Sequence, residues 1–216
     1  MEPALIFSPN KIMGSIVYRT REALNRNKTF LTGLNGYRYA DSCFLGDRFQ
    51  LWHYPGTHSE ISAVLRTLGT DTILSSQKFP GLLTYQNIRQ DRSGLSVTIH
   101  YNLALVAPVL KDWSTETREV QAFDMVLRPM YREFLNQIIL SGYFDMGYGT
   151  PQHAYYEVFT TGESGEKVMD QYGDYLDAVE LHGLRLTLKD TLCKRHYLII
   201  EDENKKVTEN INTLKH

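Results

Sequence analysis

Scarcity of cysteine excludes a disulfide framework: the 216 residues contain two, Cys43 and Cys193, each alone in an apolar neighbourhood and expected as a buried thiol. Long apolar runs are missing as well. No stretch approaches the roughly eighteen apolar residues of a membrane-crossing helix. The opening Met1-Glu2-Pro3-Ala4-Leu5-Ile6-Phe7 carries neither the basic segment nor the apolar run of a secretion signal, so a soluble, unexported chain with no membrane partner is expected. Charge of one sign is equally scarce. With 23 basic against 25 acidic residues, the net charge of −2 gives no general attraction to nucleic acid, and any DNA contact would be local.

Catalytic signatures are also lacking: there is no G-x-S-x-G, H-E-x-x-H, P-loop or G-x-G-x-x-G. His53, His58, His100, His153, His182, His196 and His216 form no i,i+4 pair with a carboxylate partner on a convincing helix; His53 and His58, flanking Pro55-Gly56, come closest to a metal pair. Asp170, Asp174 and Asp177 lack the glycine and terminal glutamate of a calcium loop and are read as capping and solubilising groups. No cofactor and no metal is expected. Neither a repeat nor a linker divides the chain, and 42% apolar residues suffice for one sizeable core. The expectation is a single α+β domain over residues 1–200 followed by a polar tail or arm over 201–216.

The richest stretch runs from Gly94 to Gly142. Leu95, Val97, Ile99, Tyr101, Leu103 and Leu105 alternate with polar or small residues, the period of a strand with one face buried. Ser114 and Thr115 then offer caps for a helix whose first turn holds Glu116 and Glu119. Val120, Phe123, Leu127, Met130, Phe134 and Ile138 recur along it every three or four residues, with Val126, Tyr131, Leu135 and Ile139 widening the stripe. Pro129 predicts a bend or break near Met125 to Arg128.

Before this stretch, the spacing predicts an amphipathic helix between Asn10 and Asn27, its basic residues Arg19, Arg21, Arg26 and Lys28 forming a solvated face. Strands are expected over Tyr37–Leu45 and Arg48–Tyr54 around a Gly46-Asp47 turn, the second broken by Pro55-Gly56, then a helix over His58–Leu68 and a strand from Thr72. Leu82 to Ile88 should join the organising strand through a projecting loop, Gln90-Asp91-Arg92-Ser93-Gly94. After it, Tyr143 to Pro151 reads as an aromatic loop of the kind found at interfaces, Tyr155–Thr160 as a strand and Thr161–Gly165 as a turn. Tyr175–Leu188 reads as a strand with a bulge at His182-Gly183, and Tyr197–Ile200 as a last short strand. The fold class is α+β, a mainly antiparallel sheet packed against a long helix and shorter N-terminal helices.

Phe79-Pro80-Gly81-Leu82-Leu83, the strand end Leu103-Ala104-Leu105-Val106-Ala107, Trp113 to Glu119, Leu127 to Leu135, and Asp174 to Leu181 followed by Leu184-Arg185-Leu186 resemble structural proteins of phages and prophages of Bacteroides-type bacteria. The resemblance spans roughly Phe79 to Leu188. It implies a neck or tail subunit of the tail-terminator type, located in the virion after synthesis in the host cytoplasm. Such a subunit forms a hexameric ring and meets tail-tube and head-completion proteins, with contact to passing DNA left open. Gln90, Asp91, Arg92, Ser93, Trp113, Tyr148 and Tyr155 are the candidate subunit-interface residues. Two rival readings are an enzyme with a cryptic hydrolytic site at His100 or His153 beside a carboxylate, and a monomeric module that binds through the Tyr148 region.

Overall fold

The computed structural model describes residues 7–70, 77–85, 88–93, 96–146, 149–159, 174–189, 191–192 and 194–213. The expected strand from Thr72, the turn at Thr161–Gly165, Asp170 and Cys193 lie outside them.

Two thirteen-residue strands, β6 (Ser96–Pro108) and β9 (Leu176–Leu188), pair antiparallel along their whole lengths and form the spine of a seven-stranded, mostly antiparallel, curled sheet. The free side of β6 is shared by β4 (Gly81–Tyr85) and β5 (Arg89–Ser93); the free side of β9 is shared by β7 (Phe144–Asp145) and β8 (Ala154–Val158). β3 (Trp52–Gly56) adds to β4 in parallel, reached through α3 (His58–Gly69). Thr57 starts that helix with a reciprocal cap, its hydroxyl accepting from the Glu60 amide while the Glu60 carboxylate accepts from the Thr57 amide.

The period-two expectation for β6 holds from Ile99 to Leu105, with the opposite face buried as well at Thr98, Ala104 and Val106; Leu95 lies outside the described residues. Ile99, Tyr101, Leu103, Leu105 and Ala107 enter the main core, whereas Ala104 and Val106 face a smaller core under α3 with Trp52, Tyr54 and Leu83. The main core is closed by α1 (Pro9–Arg26), α2 (Lys28–Leu34) and a continuous helical run over 115–140. That run starts as α4 (Thr115–Arg118) with the Ser114 hydroxyl accepting from the Thr117 amide, passes through a π-helical segment Glu119–Leu127, and resumes as α5 (Arg128–Leu140). Pro129 opens the resumed α segment, so the predicted break falls just ahead of it. The π winding turns Val120 outward, 45% exposed, although α spacing puts it in the apolar stripe; Phe123, Leu127, Met130, Phe134 and Ile138 are buried as expected.

The bulge is where the spacing puts it. Tyr101 opposes Leu184 and Leu103 opposes Leu181, so Asn102 alone faces His182 and Gly183; Gly183 has φ +63° and donates its amide to Asn102 Oδ1 at 2.9 Å.

Four expectations are corrected. Tyr37–Leu45 is not a strand but turns and a short 3₁₀ helix, with a two-residue hairpin, β1 (Phe44–Leu45) and β2 (Arg48–Phe49), around the positive-φ Gly46. Pro55 and Gly56 lie inside β3, where an edge position tolerates the missing amide. Gln90 to Ser93 is strand rather than loop: β5 pairs with β6 from Arg89↔His100 to Ser93↔Ser96. Tyr197–Ile200 and the polar tail beyond it form one helix, α6 (Lys194–Thr213), which packs on α1 and contributes Ile200 and Val207 to the core.

Candidate functional site

The first cluster lies where α5 passes β8. Alternation along β8 sends Tyr155 and Glu157 towards α5, and Arg128 grips Glu157 in a bidentate pair at 2.8 and 2.7 Å. The same guanidinium donates to Asp124 at 2.6 Å and Glu119 at 2.5 Å. The π segment makes this possible. Glu119 and Arg128 are nine residues apart, opposite sides of an α-helix at 3.6 residues per turn, but close to two turns of a helix closed by i→i+5 bonds, at roughly 4.4 residues per turn. Hydrogen bonding to Glu157 raises the Arg128 pKa, and the same contact holds Glu157 below the usual carboxylate range. Tyr155 donates its hydroxyl to Glu157 at 2.5 Å, and its ring rests 4.8 Å from that of Tyr131; burial raises its pKa. Tyr131 meets His153 Nε2 at 2.8 Å, and the Pro151 carbonyl accepts from His153 Nδ1 at 2.7 Å. Between the two elements runs an open groove of about 370 Å³ lined by Arg132, Leu135 and Ile139 as well as Arg128, Tyr131 and Tyr155. At its end Ile139 and Leu140 stand 43% and 70% exposed.

The second cluster lies on β5 and on the same sheet face as Ala104 and Val106, further along β6. Arg89 and His100 Nε2 both contact Asp91, at 2.8 and 3.0 Å, and the Arg89 bond lowers the Asp91 pKa. Thr98 and Thr187 share a hydrogen bond across the central pair at 2.9 Å. On the other side of β5, Arg92 donates to Gln90 at 2.8 Å, both side chains exposed because the strand extends past the helical layer.

A third cluster joins α6 to α1. Glu203 accepts from the Ser15 hydroxyl, from Arg19 Nε at 2.9 Å and from the Tyr143 hydroxyl at 3.3 Å, while Arg19 lies over the Tyr143 ring. Arg21 is 5% exposed and reaches Gln50; burial lowers its pKa. The expected solvated basic face is therefore wrong for Arg19 and Arg21, which turn into the core and towards α6. Asp174 and Asp177 are corrected likewise: Asp174 pairs with Lys78, and Asp177 is fully buried against Arg118. Cys43 is buried as expected, with its thiol pushed up to about 12 by burial.

Of the candidate interface residues, Gln90, Asp91, Arg92 and Ser93 share β5, and Tyr155 sits in the α5–β8 groove. Trp113 belongs to neither: it is half-buried against Tyr39 at 6.1 Å. Tyr148 lies outside the described residues. His100 and His153, the two histidines of the hydrolase alternative, belong to separate clusters; the side-chain partner of the first is Asp91 and of the second Tyr131. Glu119, Asp124, Arg128 and Glu157 escaped sequence reasoning, since α-helical spacing separates the first from the third and strand alternation alone does not say which element faces Glu157.

Among the described residues no group of three or more His, Cys, Asp or Glu could hold a metal ion, and no helix is long and apolar enough to cross a membrane. No protein family, curated protein or solved structure matches this chain.

Proposed function

We propose that the chain is a structural subunit of a bacteriophage virion, of the tail-terminator or neck type, and that copies of it form a ring, hexameric in the tail-terminator pattern, between head and tail. The observation that carries this reading is the form of the sheet. It ends on opposite sides in short strands, β5 beyond β6 and β8 beyond β9, and each pairs with one neighbour only among the described residues. Contact surfaces on opposite sides of one subunit produce head-to-tail association, which closes as a ring when the rotation per copy divides a full turn. The exposed Ile139, Leu140 and Tyr156 add apolar surface next to one of these edges. In the ring, further contacts are made with tail-tube and head-completion proteins.

Light scattering on the purified protein, alone and mixed with tail-tube protein from the same phage, tests the reading. A closed oligomer of fixed mass is expected. A strictly monomeric species at high concentration in both samples overturns it and favours the monomeric binding module.

A further inference from the structure

We infer that the chain holds a binding site for the terminal phosphate group of a small molecule, in the cavity where α1 and α6 meet the β1–β2 hairpin, with Arg21 at its floor and Arg48 and Lys206 at its rim. The site is independent of the ring reading. The cavity measures about 300 Å³, room for a phosphate and a short carbon skeleton. Arg21, Arg48 and Lys206 line it against Glu22, three positive charges against one negative, or +2.

Buried cations elsewhere in the chain are paired directly. Among the described residues three are buried: Arg118 meets Asp177 at 2.7 Å and Lys78 meets Asp174, but the nearest carboxylate to Arg21 is that of Glu22, at 3.8 Å. Glu22 is itself committed, its two oxygens accepting from Arg48 at 2.6 and 2.7 Å. The hydrogen bonds of the Arg21 guanidinium go to neutral, distant acceptors, the Gln50 side-chain oxygen and the Lys206 carbonyl, each at 3.4 Å. A charge-assisted hydrogen bond of this type measures about 2.7–2.9 Å. The buried charge thus lacks the close counter-charge that offsets desolvation. Burial accordingly lowers the Arg21 pKa, whereas hydrogen bonding to Glu157 raises that of Arg128. An oxyanion in the cavity supplies the counter-charge. Tyr18 keeps two of the cations in place, with Arg21 Cζ and Lys206 Nζ each 5.4 Å from its ring centroid. Lys206 also reaches Asp202 at 2.7 Å, but that carboxylate is 63% exposed and outside the cavity lining, a pairing that water weakens.

Charge and access select the ligand. A phosphomonoester carries about −1.5 to −2 at pH 7, a match for the lining that a single carboxylate does not reach, and guanidinium forks suit its oxygens. A nucleic-acid backbone phosphate has one charge and a sugar on either side, which keeps it from a guanidinium only 5% exposed.

Calorimetry on the full chain with inorganic phosphate and phenyl phosphate, at constant ionic strength, tests the site. Melting temperatures are a poor guide, because phosphate stabilises folded proteins by exclusion from their surfaces. Saturable one-to-one binding of both probes is expected. Arg48→Gln and Lys206→Gln, both at exposed side chains, should each weaken it about tenfold, the effect of losing one charge-assisted hydrogen bond. Arg26→Gln, exposed at the end of α1 and outside the cavity, should leave it unchanged. In the unsubstituted protein the Arg21 Nε–H resonance should move along the same saturation curve. Tighter binding of phenyl phosphate assigns the site to an organic monoester, and tighter binding of phosphate to the free ion. Acetate saturating at the same concentration, an oligonucleotide competing for the site, an equal loss in Arg26→Gln, an unmoved Arg21 resonance or a lack of saturable binding each overturns the inference.

Discussion

Arg118 Nη1 lies 2.7 Å from Asp177 Oδ1 with the two side chains 1% and 0% exposed, joining the start of the long helix to the beginning of β9 in the absence of solvent. The guanidinium also donates to the carbonyls of Leu110 and Trp113, so it fixes the connection between β6 and the helix as well. Removing one partner strands a buried charge, a cost of about 3–5 kcal/mol. Asp177→Asn is therefore expected to lower stability by that amount in urea melts. The double variant Arg118→Met, Asp177→Leu should recover most of it. A single-variant loss below about 1 kcal/mol would mean that water reaches the pair.

His53 predicts an acid-labile component of stability. The ring is 6% exposed, its Nε2 shares a hydrogen with the Thr84 hydroxyl at 3.0 Å, and burial lowers its pKa from 6.5 to about 4. Between those values the unfolded chain binds the proton and the folded one does not. The contribution is thus complete above pH 6.5 and is lost as pH falls to about 4, by about 3 kcal/mol at most. The wild type should lose stability more steeply than His53→Gln as pH falls from 6.5 to about 4; identical slopes over that range would refute it.

Gly14 sits where α1 meets α6, and a Cβ placed there would lie 2.1 Å from Asn204 Oδ1 and 3.3 Å from His53 Nδ1. Helix propensity alone favours alanine by about 1 kcal/mol, but overpacking of this kind costs about 1–3 kcal/mol. Gly14→Ala is expected to lower the melting temperature, and Asn204→Ala in the same chain to restore it. Stabilisation by Gly14→Ala alone would show that the seam relaxes freely.

The elements that were legible in the sequence are those whose buried face is apolar. β6, α1, α3, the long helix and the bulged β9 each repeat hydrophobic residues at the period of their own geometry, and each was placed close to its observed bounds. α6 is hidden in the sequence because its inner face is polar over much of its length: Glu201 reaches Lys11, Glu203 meets Ser15, Arg19 and Tyr143, and among the described residues Ile200 and Val207 mark the core side. A polar helix face looks like a tail. β5 reads as a loop for a related reason, since Gln90, Asp91 and Arg92 extend beyond the helical layer and show no alternation of polarity. The Arg128 cluster depended on a π-helical winding, which leaves no regular spacing to find. The parallel pairing of β3 with β4 is a long-range choice that neither strand encodes on its own.

The seam between α1 and α6 also governs the order of events at the ribosome. The first helix emerges with Ile12, Met13, Ile16 and Val17 exposed, yet part of its permanent cover, including Ile200, Glu203 and Val207, is made only with α6. At about 5–20 residues per second, the wait is on the order of ten to thirty seconds. Throughout that interval a nascent chain displays an uncovered apolar helix, the kind of surface that chaperones hold. Emergence of α6, rather than of α1 itself, is the event that allows this core to close.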